Sequence, residues 1–282
     1  MIRILSILVG LFFTVALVWS FGNGAYTAIT EPAPATAEHE FHLHPKDVSF
    51  PSDGAFGKFD RAQLQRGFQV YKEVCAACHS LNYVAFRDLS ALGYSEAEVK
   101  AIAKGFQVPG IDPNTGEATM RPGMATDYFP APFANDVAAR AANNNAVPPD
   151  LSLMTKARHD GAAYVYSLLT GYQAQPAELL KQFPDAKTPQ GLYYNPYFPN
   201  LNLAMAPPLT GEGQVSYSDG TKATVDQMSK DVSAFLIWTA EPKLEKRKQT
   251  GWPVLGFLLF ATVLGFMSYK NIWADKKSKK NA

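Results

Sequence analysis

Cysteine is nearly absent from this chain: two among 282 residues, at 75 and 78. That scarcity excludes a disulfide framework as the source of stability, so the fold must rest on its core and on whatever it binds. An excess of one charge is missing too. Lys and Arg number 26 against 25 Asp and Glu, which lacks the basic surplus that nucleic-acid binding requires. No period of about twenty to fifty residues recurs, so solenoids and tandem arrays are excluded. Long apolar runs are lacking through the interior and occur only near the two ends.

What is there begins with Cys75-Ala76-Ala77-Cys78-His79. Cys-x-x-Cys-His is the attachment pattern of a c-type haem. Two thiols three residues apart on a helical turn can reach both vinyl groups of one haem, and the next side chain, His79, then lies beneath the iron. Zinc would need four ligands, and His39, His42, His44 and His159 offer no partner arrangement beyond the His42-x-His44 pair. A thioredoxin-like redox pair would need a βαβ setting. Here the motif instead ends a helical pattern, because Leu64, Phe68, Tyr71, Cys75 and Cys78 recur at helical spacing.

Near the start, Arg3 precedes an almost unbroken apolar run over residues 4–21, followed by Pro-rich sequence reaching Ala35-Thr36-Ala37. Residues 1–37 therefore read as a secretory leader ending in an Ala-x-Ala site, or as an anchor that stays; cleavage nearer Gly24 is a further option. Both readings imply export. Residues 252–269 form eighteen uncharged positions, about 27 Å of helix, which matches the hydrocarbon thickness. The expected organisation is a domain at 38–250, a transmembrane helix at 251–270 and a basic tail at 271–282, with Trp252 and Tyr269 as interfacial aromatics. Between 38 and 240, acidic residues outnumber basic ones by five. Such a surface suits a basic protein partner.

Within the domain, Ser95-x-x-Glu98 opens a helix that Gly105 can end, Asp136 to Ala142 is Ala-rich, residues 160–169 are helical before Gly171, and Thr224-x-x-Gln227 opens a helix that Pro242 stops. The clearest strand signal is 215–218, turning at Asp219-Gly220 as a small hairpin. The fold is mainly α, with two long loops at about 106–135 and 182–214 that wall off the haem and present its second ligand. Met154 and Met228 fit helical core positions, whereas Met120, Met124 and Met205 fall in loops and are the candidates for that ligand. Met205 precedes Ala206-Pro207-Pro208, which stiffens the backbone beyond it.

Several runs carry a resemblance: RGFQVYKEV at 66–74, AANN at 141–144, PPDLS at 148–152, KARH at 156–159, YVYSLLTGY at 164–172, YNPYFP at 194–199 and AEPK at 240–243. Together they resemble the cytochrome c1 family, colinearly from His44 to the apolar helix. The resemblance implies a cytochrome c-like haem domain with one C-terminal transmembrane helix and one haem c bound covalently through Cys75 and Cys78. It implies His79 and Met205 as the iron ligands and Arg158 near a propionate, with Asn143, Tyr164, Pro149 and Tyr128 as pocket candidates and His159 not a ligand. The implied work is that of the electron-transfer subunit of ubiquinol:cytochrome c oxidoreductase, with no substrate chemistry on this chain. Electrons pass from a Rieske iron-sulfur protein to a cytochrome c, beside cytochrome b in a dimeric multi-subunit complex. The implied place is the bacterial inner membrane with the domain periplasmic, or the mitochondrial inner membrane facing the intermembrane space. Two rivals differ in class: a haem enzyme with an open iron site, and a membrane-anchored monohaem cytochrome of another chain.

Overall fold

The computed structural model describes residues 2–31 and 35–278. Met1, Pro32, Ala33, Pro34 and residues 279–282 lie outside the described residues, and with them part of the expected leader and Lys279 and Lys280 of the basic tail. In chain order the helices are α1 (Ile2–Thr30), α2 (Ala37–Phe41), α3 (Arg61–Val70), α4 (Glu96–Lys104), α5 (Asp136–Ala142), α6 (Met154–Ala157), α7 (Gly161–Leu169), α8 (Ala177–Gln182), α9 (Val225–Ala240) and α10 (Leu244–Ser278). The strands are β1 (Gln107–Ile111), β2 (Ala118–Pro122), β3 (Tyr193–Tyr194) and β4 (Asn202–Leu203), paired antiparallel as β1-β2 and β3-β4.

Two compact units result: residues 1–42 with 176–187, and residues 43–175 with 188–282. In the first, α1 is apolar and exposed along its length. Short α2 opens on Thr36, whose Oγ1 accepts from His39 N, and Ala37 is buried at once. The Ala35-Thr36-Ala37 site thus includes the cap of a folded turn. Phe41 meets Phe183 edge-on, with ring centroids 6.3 Å apart.

The second unit is organised by the crossing of α3 and α9. Asp60 caps α3 by accepting from Gln63 N, and Thr224 caps α9 by accepting from Gln227 N. Gly67 lets the helices touch, because a Cβ there would lie 2.1 Å from the Asp231 carbonyl oxygen. Around that point Phe68 and Tyr71 pack tilted against Phe235, with ring centroids 5.7 and 5.8 Å away. Phe235, Val232, Met228 and Trp238 are buried along α9, each stabilising the fold by roughly 1.5–3 kcal/mol through lost apolar exposure. That face of α9 is therefore its core face.

The helix boundaries expected at Ser95, Gly105, Asp136, Ala142 and Pro242 agree with α4, α5 and α9. Ser95 and Glu98 form the reciprocal capping box. The hairpin expected at 215–218 does not form. That segment runs irregularly along α3, where Gln69 Nε2 donates to the Ser216 carbonyl at 2.8 Å and Arg66 takes Asp219 at 2.7 Å. Side chains from α3 supply the partners a second strand would have supplied. Strand pairing appears instead inside the two long loops, and Met120 consequently sits in β2, not in a loop.

Candidate haem-binding site

The end of α3 builds the motif. After Val70 the helix widens into a π turn, Tyr71–Cys75, in which Ala76 N reaches back to the Tyr71 carbonyl at 2.8 Å. Such wide turns are rare and gather at functional sites. Cys78 N and His79 N then both close on the Cys75 carbonyl, at 3.1 and 2.9 Å. Both cysteines are free and half-buried. Burial first, and the neighbouring Cys78 second, push the Cys75 thiol up to about 12. At neutral pH it keeps its proton, the form in which S–H adds across a vinyl group.

His79 is oriented from behind. Its Nδ1 donates to the Pro149 carbonyl at 2.8 Å, which fixes the tautomer and leaves the Nε2 lone pair free to bind a metal. Burial pulls its pKa below the usual imidazole value, so the ring stays neutral. Tyr71 OH donates to the His79 carbonyl at 3.0 Å. The opposite strap, residues 148–152, is tied down by Asp150: Oδ2 accepts from Ser80 Oγ and Asn82 N, both at 2.8 Å, and Oδ1 accepts from Ser152 N at 2.9 Å. Leu151 N adds a bond to the Ser80 carbonyl at 3.0 Å.

The same stretch of chain continues to the methionine. Past α6 and α7 it reaches Tyr172, whose hydroxyl donates to the Met205 carbonyl at 3.0 Å. Burial, with Tyr164 and Tyr193 close by, raises the Tyr172 pKa. Arg158 lies against Tyr164, is exposed, and has no carboxylate partner among the described residues. Residues 148–172 therefore form one clasp that grips His79 at one end and the Met205 loop at the other. Met205 is half-buried just past β4, whereas Met120 and Met124 are more than half exposed.

Other expected residues sort differently. Asn143 spends its Nδ2 on the Ala139 carbonyl and so closes the end of α5. Tyr128 is half-exposed and bridges to Ala85. Pro149 acts through its carbonyl, not its ring. Tyr71, Asp150 and Tyr172 are positioning residues that sequence reasoning misses as site residues. Only the burial of Tyr71 on the apolar face of α3 left a trace in the pattern.

The donor set fits a haem. Two free cysteines three residues apart and one imidazole with a free Nε2 suit thioether attachment and a single axial bond. No group of three or more His, Cys, Asp or Glu side chains is gathered among the described residues, as a zinc site would need. The class is a mainly helical domain, with a Cys-x-x-Cys-His turn at its centre, carried on a long apolar helix.

The Cytochrome C1 family matches residues 50–276, and the chain belongs to that family. It is 46% identical over 244 residues to "Cytochrome c1" of Rhodospirillum rubrum, covering 83% of this chain and 89% of that protein. It is 43% identical over 253 residues to "Cytochrome b-c1 complex catalytic subunit, mitochondrial" of Candida albicans, covering 90% and 85%. Against "Cytochrome b/c1" of Bradyrhizobium diazoefficiens the identity is 47% over 237 residues, which is 79% of this chain but only 34% of that longer protein. The family carries a haem.

Proposed function

We propose that this chain is the electron-transfer subunit of a quinol:cytochrome c oxidoreductase, with one haem c attached through Cys75 and Cys78, His79 and Met205 as axial ligands and Arg158 beside a propionate. It passes electrons from a Rieske iron-sulfur protein to a cytochrome c, next to cytochrome b in a dimeric multi-subunit complex. Bound there, the haem supplies a one-electron iron couple. The observation that carries the reading is the His79 Nδ1 bond to Pro149 within a Cys-x-x-Cys-His turn, in a chain of this family.

The chain's own residues do the holding. Pro149 orients the imidazole, Tyr71 holds the His79 backbone carbonyl, Asp150 locks the strap that carries Pro149, and Tyr172 anchors the backbone of Met205. Holding His79 and Met205 in place would let a bound haem change oxidation state with little rearrangement of the chain. Arg158, with no carboxylate partner among the described residues, can neutralise propionate charge with its planar guanidinium. We place the domain, residues 38–250, on the periplasmic side of a bacterial inner membrane or its mitochondrial equivalent, with the span at 251–270, the basic tail at 271–282 and an export leader or anchor at 1–37.

The test is purification of the intact membrane assembly in mild detergent. The reading predicts a chain that keeps its haem colour on a denaturing gel and travels with a cytochrome b and an iron-sulfur protein. Colour extractable by acid-acetone, or a chain recovered without those partners, would refute it.

A further inference from the structure

The first turns of α10 are wrapped by residues 51–61. Lys248 Nζ donates to the Ser52 and Gly54 carbonyls, each at 2.6 Å. Glu245 accepts from Phe59 N at 2.7 Å and from Arg61 Nη2 at 2.8 Å. The loop is itself closed: Phe50 N donates to Asp53 Oδ2 at 2.7 Å, Lys58 N to the Pro51 carbonyl at 2.9 Å, and Gly57 has no room for a Cβ, which would fall 1.9 Å from the Asp53 carbonyl oxygen. This is an ordered turn, and it holds one large apolar side chain outward. Phe56 is 77% exposed, and its ring lies flat on Trp252, centroids 5.2 Å apart and planes 11° apart.

Trp252 is the first residue of the apolar run 252–269, and Lys248 lies one helical turn, about 6 Å, above it. Phe56 therefore stands at the level where α10 meets the bilayer, beside the helix and not above it. The apolar window of α10 has none of its residues buried, so the surface Phe56 extends is the lipid-facing one. Aromatic side chains favour that boundary.

We propose that residues 51–57 form an interfacial foot, with Phe56 seated at the headgroup-acyl boundary of the phospholipid bilayer beside Trp252. With Lys248 and Glu245 tying the loop to α10, the foot sets the height and tilt of the domain over the membrane. The inference rests on α10 spanning the bilayer and is independent of the iron ligands.

Photo-crosslinking in native membranes tests it, with p-benzoylphenylalanine placed at position 56 of the full chain. A second chain carries the probe at Ala55, and a third carries it at Phe257 inside the span as a control. A haem absorption spectrum that matches the unaltered chain's reports that each variant has folded. The expected result is a phospholipid adduct by mass at 56, or at 55 if the 56 variant does not accumulate. An adduct to another polypeptide at those positions would overturn the foot and show a subunit seated on it. Lipid adducts at 257 with none at 55 or 56 would overturn it as well. Absence of lipid adducts at 257 would remove the span on which the inference stands.

Discussion

At the scale of single residues, the site depends on backbone carbonyls gripped by side chains. Tyr172 OH holds the Met205 carbonyl at 3.0 Å, and a half-buried hydrogen bond of this kind contributes about 1 kcal/mol. Tyr172→Phe is expected to lower the unfolding free energy by about that amount in urea denaturation; an unchanged unfolding free energy would show that the bond holds nothing. Asp219 offers a titration. Its carboxylate accepts first from Thr221 N and then from Arg66, and its pKa falls from 3.8 to about 2. Because the folded value is the lower one, the stabilisation is fully present above the unfolded pKa and is lost as pH falls from about 4 toward 2. Asp219→Asn should therefore be less stable than the unaltered chain at neutral pH, with the gap closing across that window in acid unfolding. A gap independent of pH would place the effect elsewhere.

At the scale of elements, the crossing of α3 and α9 positions the haem turn, and Gly67 permits it. Gly67→Ala would drive a methyl group into the Asp231 backbone. Overpacking at such a contact costs about 1–3 kcal/mol, so urea unfolding followed by circular dichroism should show a loss of that order. No loss would mean the helices separate freely. Legibility divides along the same line. Caps at Ser95 and Thr224 announce α4 and α9, since a side-chain oxygen at a helix start is a local signal. The β1-β2 pair was illegible because Pro109 and Gly110 occupy its first strand, where propensity argues against one. The 215–218 segment failed in the opposite sense, its alternation being answered by Arg66 and Gln69 instead of a strand. In the site, the Cys-x-x-Cys-His turn and the loop Met205 before Ala206-Pro207-Pro208 stand out in the sequence, but the bonds that hold His79 and Met205 in place run to the backbone carbonyls of Pro149 and Met205. A carbonyl leaves no mark in composition.

At the scale of the whole molecule, an acidic domain sits on a basic-flanked apolar helix. Acidic residues outnumber basic ones by five over 38–240, which favours encounter with a basic partner protein. Raising salt from about 10 to 150 mM shortens the screening length from roughly 30 to 8 Å; reduction of such a partner should slow across that range. Rates that do not respond would mean the surface plays no part in steering. The clasp of residues 148–172 unites these scales, since it holds His79 through Pro149 and Met205 through Tyr172. The most direct measurement of that arrangement is a potentiometric titration of Met205→Leu beside the unaltered chain. Loss of the thioether is predicted to lower the reduction potential, whereas two superimposable titration curves would contradict Met205 as the iron's second ligand.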